Sequence, residues 1–166
     1  MKTVWGESLR PDAILPEYPR PQLARNSFLN LNGPWSYAIT KTRPRPDAFD
    51  GTILVPFSPE SVLSGVNRTL LPGEFLHYSR TFTLPETRPG TRTLLHFGAA
   101  DQCAEVFVNG VCVGSHTGGY LPFTFDITDA LGPNGAENVL DVCVTDATDT
   151  NSFSRGKQKT ARGGIW

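Results

Sequence analysis

The chain has 166 residues, the size of one domain at roughly 100–200 residues each, and is too short for a (β/α)₈ barrel of about 250. Lys and Arg total 15 against 16 Asp and Glu, so the net charge is −1, without the basic excess of a nucleic-acid binder. Hydrophobic residues reach 39%, with 10 Phe, 3 Trp and 4 Tyr, which excludes a disordered chain, while 16 Gly and 14 Pro point to a turn-rich all-β domain.

Residues 1–25 hold Pro11, Pro16, Pro19 and Pro21 and read as an extended arm lying over a surface. Asn32-Gly33-Pro34 turns into a strand on which Trp35, Tyr37 and Ile39 alternate, with Trp35 in the core. The segment 41–51 is a polar loop with two prolines, and Thr52–Val55 is a short strand stopped by Pro56. After an irregular stretch, Leu76, Tyr78, Arg80, Phe82 and Leu84 share one face of a strand, and Arg92–Phe97 is the next. Ala104–Val108 and Val111–Gly114 flank Asn109-Gly110, residues that tolerate the positive φ of a type I′ turn. That turn predicts the pairs Val108 with Val111 and Phe107 with Cys112. Phe123, Phe125 and Ile127 alternate on another strand, Thr128–Leu131 suits one helical turn, and Val139–Val144 is a strong strand. The polar loop 146–164 follows, and Gly164-Ile165-Trp166 looks like the start of one more strand. About eight strands without a long helical period predict a β-sandwich of two sheets.

The residues alone present no active site. Gly-x-Ser-x-Gly is absent, Ser115-His116 is an isolated pair, and the seven Glu are scattered. His77, His96 and His116 lack metal-ligand spacing, no phosphate-cradling glycine motif occurs, and no cofactor or metal is expected. Cys103, Cys112 and Cys143 sit in apolar runs and read as small buried hydrophobes; a Cys103–Cys143 bridge is the sharper alternative. Met1–Glu7 has no apolar signal run and no stretch approaches the ~20 residues of a membrane span, so a cytoplasmic protein without a membrane partner is expected. Loop 146–164 collects Asp146, Asp149, Asn151, Arg155, Lys157, Gln158 and Arg162, side chains suited to sugar hydroxyls, although a solvated linker has the same composition.

Ten short segments then occur in a telling order. Leu31-Asn32-Gly33-Pro34-Trp35 is followed by Val55-Pro56-Phe57 and by Tyr78-Ser79-Arg80-Thr81-Phe82-Thr83-Leu84-Pro85. Next come Leu95-His96-Phe97-Gly98-Ala99-Ala100-Asp101, Val106-Phe107-Val108-Asn109-Gly110 and Val113-Gly114-Ser115-His116-Thr117-Gly118-Gly119-Tyr120. Phe123-Thr124-Phe125-Asp126-Ile127-Thr128, Asn138-Val139-Leu140, Arg155-Gly156-Lys157-Gln158 and Gly163-Gly164-Ile165-Trp166 complete the set. In this order the chain resembles the N-terminal sugar-binding domain of family-2 glycoside hydrolases, the β-galactosidase, β-glucuronidase and β-mannosidase group.

The resemblance implies a galactose-binding-like jelly-roll sandwich over residues 26–166, preceding an immunoglobulin-like domain and a TIM barrel. The barrel would carry the two glutamates of retaining hydrolysis, so no catalytic residue is expected here. The implied substrate contacts are Arg155, Lys157 and Gln158 in the late loop, with Ser79 and Arg80 as a second substrate-proximal position. Gln158 stands near where the β-galactosidase pattern has an aspartate. The implied partners are a glycoside substrate and the following domains, and a homo-oligomeric parent is left open. Two alternatives stay beside this reading. One is a free-standing carbohydrate-binding module using Trp5, Trp35 or Tyr120, and the other is a purely structural docking domain.

Overall fold

The computed structural model describes residues 2–20, 22–25, 27–85, 90–147 and 164–165. Ten strands occur among them: β1 Gly33–Thr40, β2 Gly51–Val55, β3 Phe75–Thr83, β4 Leu94–Phe97, β5 Ala100–Asp101, β6 Cys103–Val108, β7 Val111–Thr117, β8 Phe123–Asp126, β9 Glu137–Thr145 and β10 Gly164–Ile165. Eight of them cover the expected strands. Of the other two, β10 falls where Gly164-Ile165-Trp166 suggested the start of one more strand, and β5, with two residues, is too short for alternation to reveal.

The larger sheet runs β2-β1-β3-β9-β6-β7, antiparallel throughout. Two ribbons, β4–β8 and β5–β10, complete the sandwich. The core lies between the layers. Leu76, Tyr78, Phe82, Leu140, Val142, Val144, Ala104, Val106 and Val108 point inward from the large sheet, as their period-two spacing requires. Phe97, Phe123 and Ile165 meet them from the ribbons. Trp35 is 3% exposed, as its alternation predicted, and lies edge-on to Tyr78 with ring centroids 6.2 Å apart.

The Asn109-Gly110 turn forms with φ values of 50° and 80°, and Val108 pairs with Val111 and Phe107 with Cys112. Asn109 also ties the hairpin tip down. Its Nδ2 donates to the Ala130 carbonyl and Asn138 Oδ1 at 2.9 and 2.8 Å, while its Oδ1 accepts from the Val139 amide at 2.9 Å. The helical turn expected at Thr128 is the 3-10 turn Thr128–Ala130. Asp126 Oδ1 accepts from the Thr128 amide at 3.0 Å, and the Thr128 hydroxyl accepts from the Thr93 amide at 2.9 Å.

Two expectations are corrected. The arm is not extended throughout: α1, Val4–Glu7, is one helical turn, because the Thr3 hydroxyl accepts from the Gly6 amide at 3.2 Å before any proline interrupts. The cysteines are not all buried. Cys143 is buried, Cys103 is half-buried, and Cys112 is exposed because it stands on the edge strand β7; all three thiols are free.

Gly114 faces Phe125 across the two layers, and a Cβ there would run into the Phe125 ring. Gly114→Ala is therefore expected to cost about 1–3 kcal/mol through overpacking. Urea unfolding of the variant measures this, and an unchanged midpoint would show that the ring moves aside freely.

Glu74, immediately before β3, is 3% exposed. Its Oε2 accepts from the Leu71 amide at 3.0 Å, and its Oε1 lies 2.7 Å from Arg68 Nη2 and 3.2 Å from Lys41 Nζ. Burial penalises the charge, but the Leu71 amide, Lys41 and Arg68 outweigh it and hold the carboxyl below its ordinary value of 4.5. A carboxyl lowered on folding adds stability above its unfolded pKa, and that stability fades as pH falls through the folded pKa. Glu74→Ala strands the Leu71 amide while the two more exposed cations return to water, so the expected loss near pH 7 is about 1–3 kcal/mol. The deficit against wild type should narrow below about pH 4.5. A deficit that stays constant into acid would remove Glu74 from the acid response.

Candidate functional site

Ser79 and Arg80 are consecutive on β3, so their side chains leave opposite faces of the sheet. Arg80 points to the core side. Its Nη1 donates to the Leu31 and Asn32 carbonyls at 2.7 and 2.9 Å, and its guanidinium lies 6.0 Å from the Trp35 ring centroid. Burial lowers its pKa. This guanidinium clamps the turn that launches β1. Ser79 points outward and is buried, with its Oγ accepting from Arg45 Nη2 at 3.5 Å. The structure therefore does not bring Ser79 and Arg80 together on one site.

What buries Ser79 is the loop 41–50, which crosses the outer face of the large sheet as a strap. Arg43 makes a two-pronged ion pair with Glu105 of β6, and Arg45 Nε donates to Asp141 Oδ1 of β9 at 3.0 Å. The Arg45 guanidinium also lies 5.0 Å from the Phe49 ring centroid. At the far end of the strap the Ile39 amide donates to Asp50 Oδ2 at 2.9 Å. His77 lies beneath, directly opposite Cys143 in register, with its Nε2 3.1 Å from Thr40 Oγ1 and 3.3 Å from the Thr42 carbonyl. A carbonyl only accepts, so Nε2 carries the proton in that contact. Burial lowers the His77 pKa, against the Thr42 carbonyl and Asp141. Burial also pushes the Cys143 thiol up to about 11, so it is a neutral thiol rather than a nucleophile.

Arg155, Lys157 and Gln158 lie outside the described residues. The residues that bracket their segment converge on one short stretch, 101–103. On the departing side Thr145 pairs with Cys103, and the Thr145 carbonyl accepts from the Gln102 amide at 3.1 Å. On the returning side Gly164 pairs with Asp101 and Ile165 with Ala100. The Gly118 amide donates to the Gln102 carbonyl at 2.8 Å, and Gly119 packs so closely against the Asp101 carboxylate that a Cβ there would force the carboxylate to shift. Gln102 and Asp146 are buried at this junction, while Tyr120 beside it is 66% exposed. The polar segment 146–164 thus leaves and re-enters the sandwich at one place, next to an exposed aromatic ring. Neither β5 nor Gln102 stood out in the sequence, because a two-residue strand leaves no periodic signal.

Trp5 is also exposed, at 79%, whereas Trp35 is core. Among the described residues no group of three His, Cys, Asp or Glu side chains is placed to hold a metal. No described helix is long and apolar enough to cross a membrane.

The family model described as "Glycosyl hydrolases family 2, sugar binding domain" matches residues 67–158. A β-glucuronidase of Paenibacillus borealis is 41% identical over 83 residues, which cover 50% of this chain and 14% of that protein. A β-galactosidase of Thermoanaerobacter pseudethanolicus is 40% identical over 67 residues, covering 40% of this chain and 9% of that protein. The solved Lactobacillus rhamnosus β-glucuronidase superposes with a TM-score of 0.64 at 26% identity, covering 82% of this chain and 24% of that one. The chain thus spans less than a quarter of the length of each of these relatives. By the extent of the family match, this chain belongs to the sugar-binding domain of family-2 glycosyl hydrolases.

Proposed function

We propose that this chain is the N-terminal sugar-binding domain of a retaining glycoside hydrolase acting on β-glucuronides, and that its loop 146–164 contacts the substrate. The observation that carries the reading is the family match over residues 67–158, which takes in Arg155, Lys157 and Gln158. The solved β-glucuronidases among its structural neighbours support the choice of sugar. The pairing of Thr145 and Gly164 with residues 101–103 supports the role of the loop, because it brings both ends of the polar segment to one place on the sandwich.

The role is positioning. The bond-breaking carboxylates of retaining hydrolysis stand about 5–5.5 Å apart and belong to the barrel of the complete enzyme. Lys157 or Gln158 would donate to a substrate hydroxyl and hold the sugar for attack, which removes orientational freedom before the chemical step. The rest of the sandwich buttresses the barrel.

The test is a substrate panel on the complete enzyme, using p-nitrophenyl β-D-glucuronide, β-D-galactoside and β-D-mannoside. The expected result is a kcat/KM for the glucuronide at least about tenfold above the others, a preference of about 1.4 kcal/mol. Hydrolysis of none of the three would overturn the enzymatic reading. A galactoside preference would overturn the choice of sugar.

A further inference from the structure

A groove of about 440 Å³ opens on the outer face of the large sheet beside the strap, lined by side chains that include Arg43, Arg45, His77, Glu105, Phe107 and Asp141. Its size falls within the roughly 300–1,000 Å³ of small-molecule sites. It lies toward the Asn109-Gly110 end of β6, whereas segment 146–164 leaves from the Cys103 end. The mechanism proposed above makes no use of these groups.

Three features narrow what it could take. The first is charge. Two guanidiniums face two carboxylates, each already paired, so the groove offers no net charge to an anion or a cation. A charged ligand would have to displace an existing ion pair.

The second is unused hydrogen-bonding capacity. Among the described residues Arg43 and Arg45 spend Nε and Nη2 on their partners and leave Nη1 over, and Asp141 leaves Oδ2 over. His77 uses Nε2 and has Nδ1 in reserve. A hydroxyl both donates and accepts, so it can add to these groups without breaking the pairs.

The third is shape and order. Phe107 contributes an apolar ring to the lining, and the strap is pinned from both β6 and β9, so the donors are held in place before anything binds.

We propose that this groove is a second carbohydrate site that takes a neutral sugar ring, with its apolar face against Phe107 and its hydroxyls on Arg43, Arg45 and Asp141. A neutral ring matches the cancelled charge, the mixed donors and acceptors, and the aromatic wall together. A uronic acid or a phosphate matches the guanidiniums but leaves the carboxylates opposed.

The test is an NMR titration of the full 166-residue chain. Methyl β-D-glucopyranoside and methyl β-D-galactopyranoside are the probes, with methyl β-D-glucuronide as the charged comparison. The His77 and Phe107 ring protons report on the groove. Saturable shifts at both residues are expected for a neutral probe with a Kd on the order of millimolar, about tenfold tighter than for the glucuronide. Phe107→Ala should weaken binding about tenfold, and Asp141→Asn, which preserves size and shape, about fivefold. No saturable shift at His77 and Phe107 with either neutral probe would overturn the proposal, as would equal affinity in both variants. Shifts confined to residues 146–164 would place sugar binding at the loop instead and would also overturn it. The hydrolysis panel is read independently, so failure of one proposal is distinguishable from failure of the other.

Discussion

Replacing Tyr78 with alanine is expected to destabilise the domain by about 3–5 kcal/mol, whereas replacing it with phenylalanine should cost nothing measurable. Tyr78 is 1% exposed at the centre of β3, with β1 on one side and β9 on the other. Its ring packs edge-on against Trp35, so truncation loses the largest fully buried side chain among the described residues and leaves a cavity between the sheets. Its hydroxyl faces the backbone of Gly164 and Ile165 but closes no hydrogen bond of good geometry among the described residues. Burial raises the phenol pKa far above its ordinary value, with the Ile165 backbone opposing it only in part. An unpaired buried hydroxyl is a cost, so Tyr78→Phe keeps the ring and removes the penalty. Chemical denaturation of both variants separates the two contributions. A Tyr78→Phe loss above about 1.5 kcal/mol would mean that the hydroxyl holds β10 in place.

The large sheet was legible wherever the signal was local. Asn109-Gly110 reads as a hairpin because two residues settle the turn, and the turn settles the pairs of Val108 and Phe107. Trp35 reads as core because its neighbours alternate with it. The groove was not legible, since its parts are scattered along the chain. Arg43 and Glu105 are 62 residues apart, and Arg45 and Asp141 are 96 apart. No spacing rule connects positions that only the fold makes neighbours, so the loop 41–51 looked like an ordinary polar connection. Arg80 shows the same. Its place in the motif Tyr78-Ser79-Arg80 implied a substrate contact, whereas its hydrogen bonds to the Leu31 and Asn32 carbonyls, 49 and 48 residues away, left no signal in the spacing. Cys112 looked apolar and buried because Val-Cys-Val reads alike on a central strand and on an edge, and only the sheet order distinguishes the two.

The composition of loop 146–164 suited both a sugar contact and a solvated linker. Thr145 and Gly164 attach to the same short stretch, so both ends of the loop sit together on the sandwich. The loop is also where the largest functional effect is expected. If Lys157 and Gln158 bind substrate hydroxyls, their loss leaves substrate groups unpaired in a closed site, a cost of about 1–3 kcal/mol. At about 1.4 kcal/mol per tenfold, that is roughly a 10- to 100-fold loss in kcat/KM. The sandwich core should be untouched, so unfolding of the domain serves as the control.

The most direct measurement is therefore kcat/KM of the complete enzyme carrying Lys157→Ala with Gln158→Ala, on its best glycoside substrate. A 10- to 100-fold fall, with domain stability unchanged, is the predicted result. An unchanged kcat/KM would contradict substrate contact and leave the domain a purely structural support.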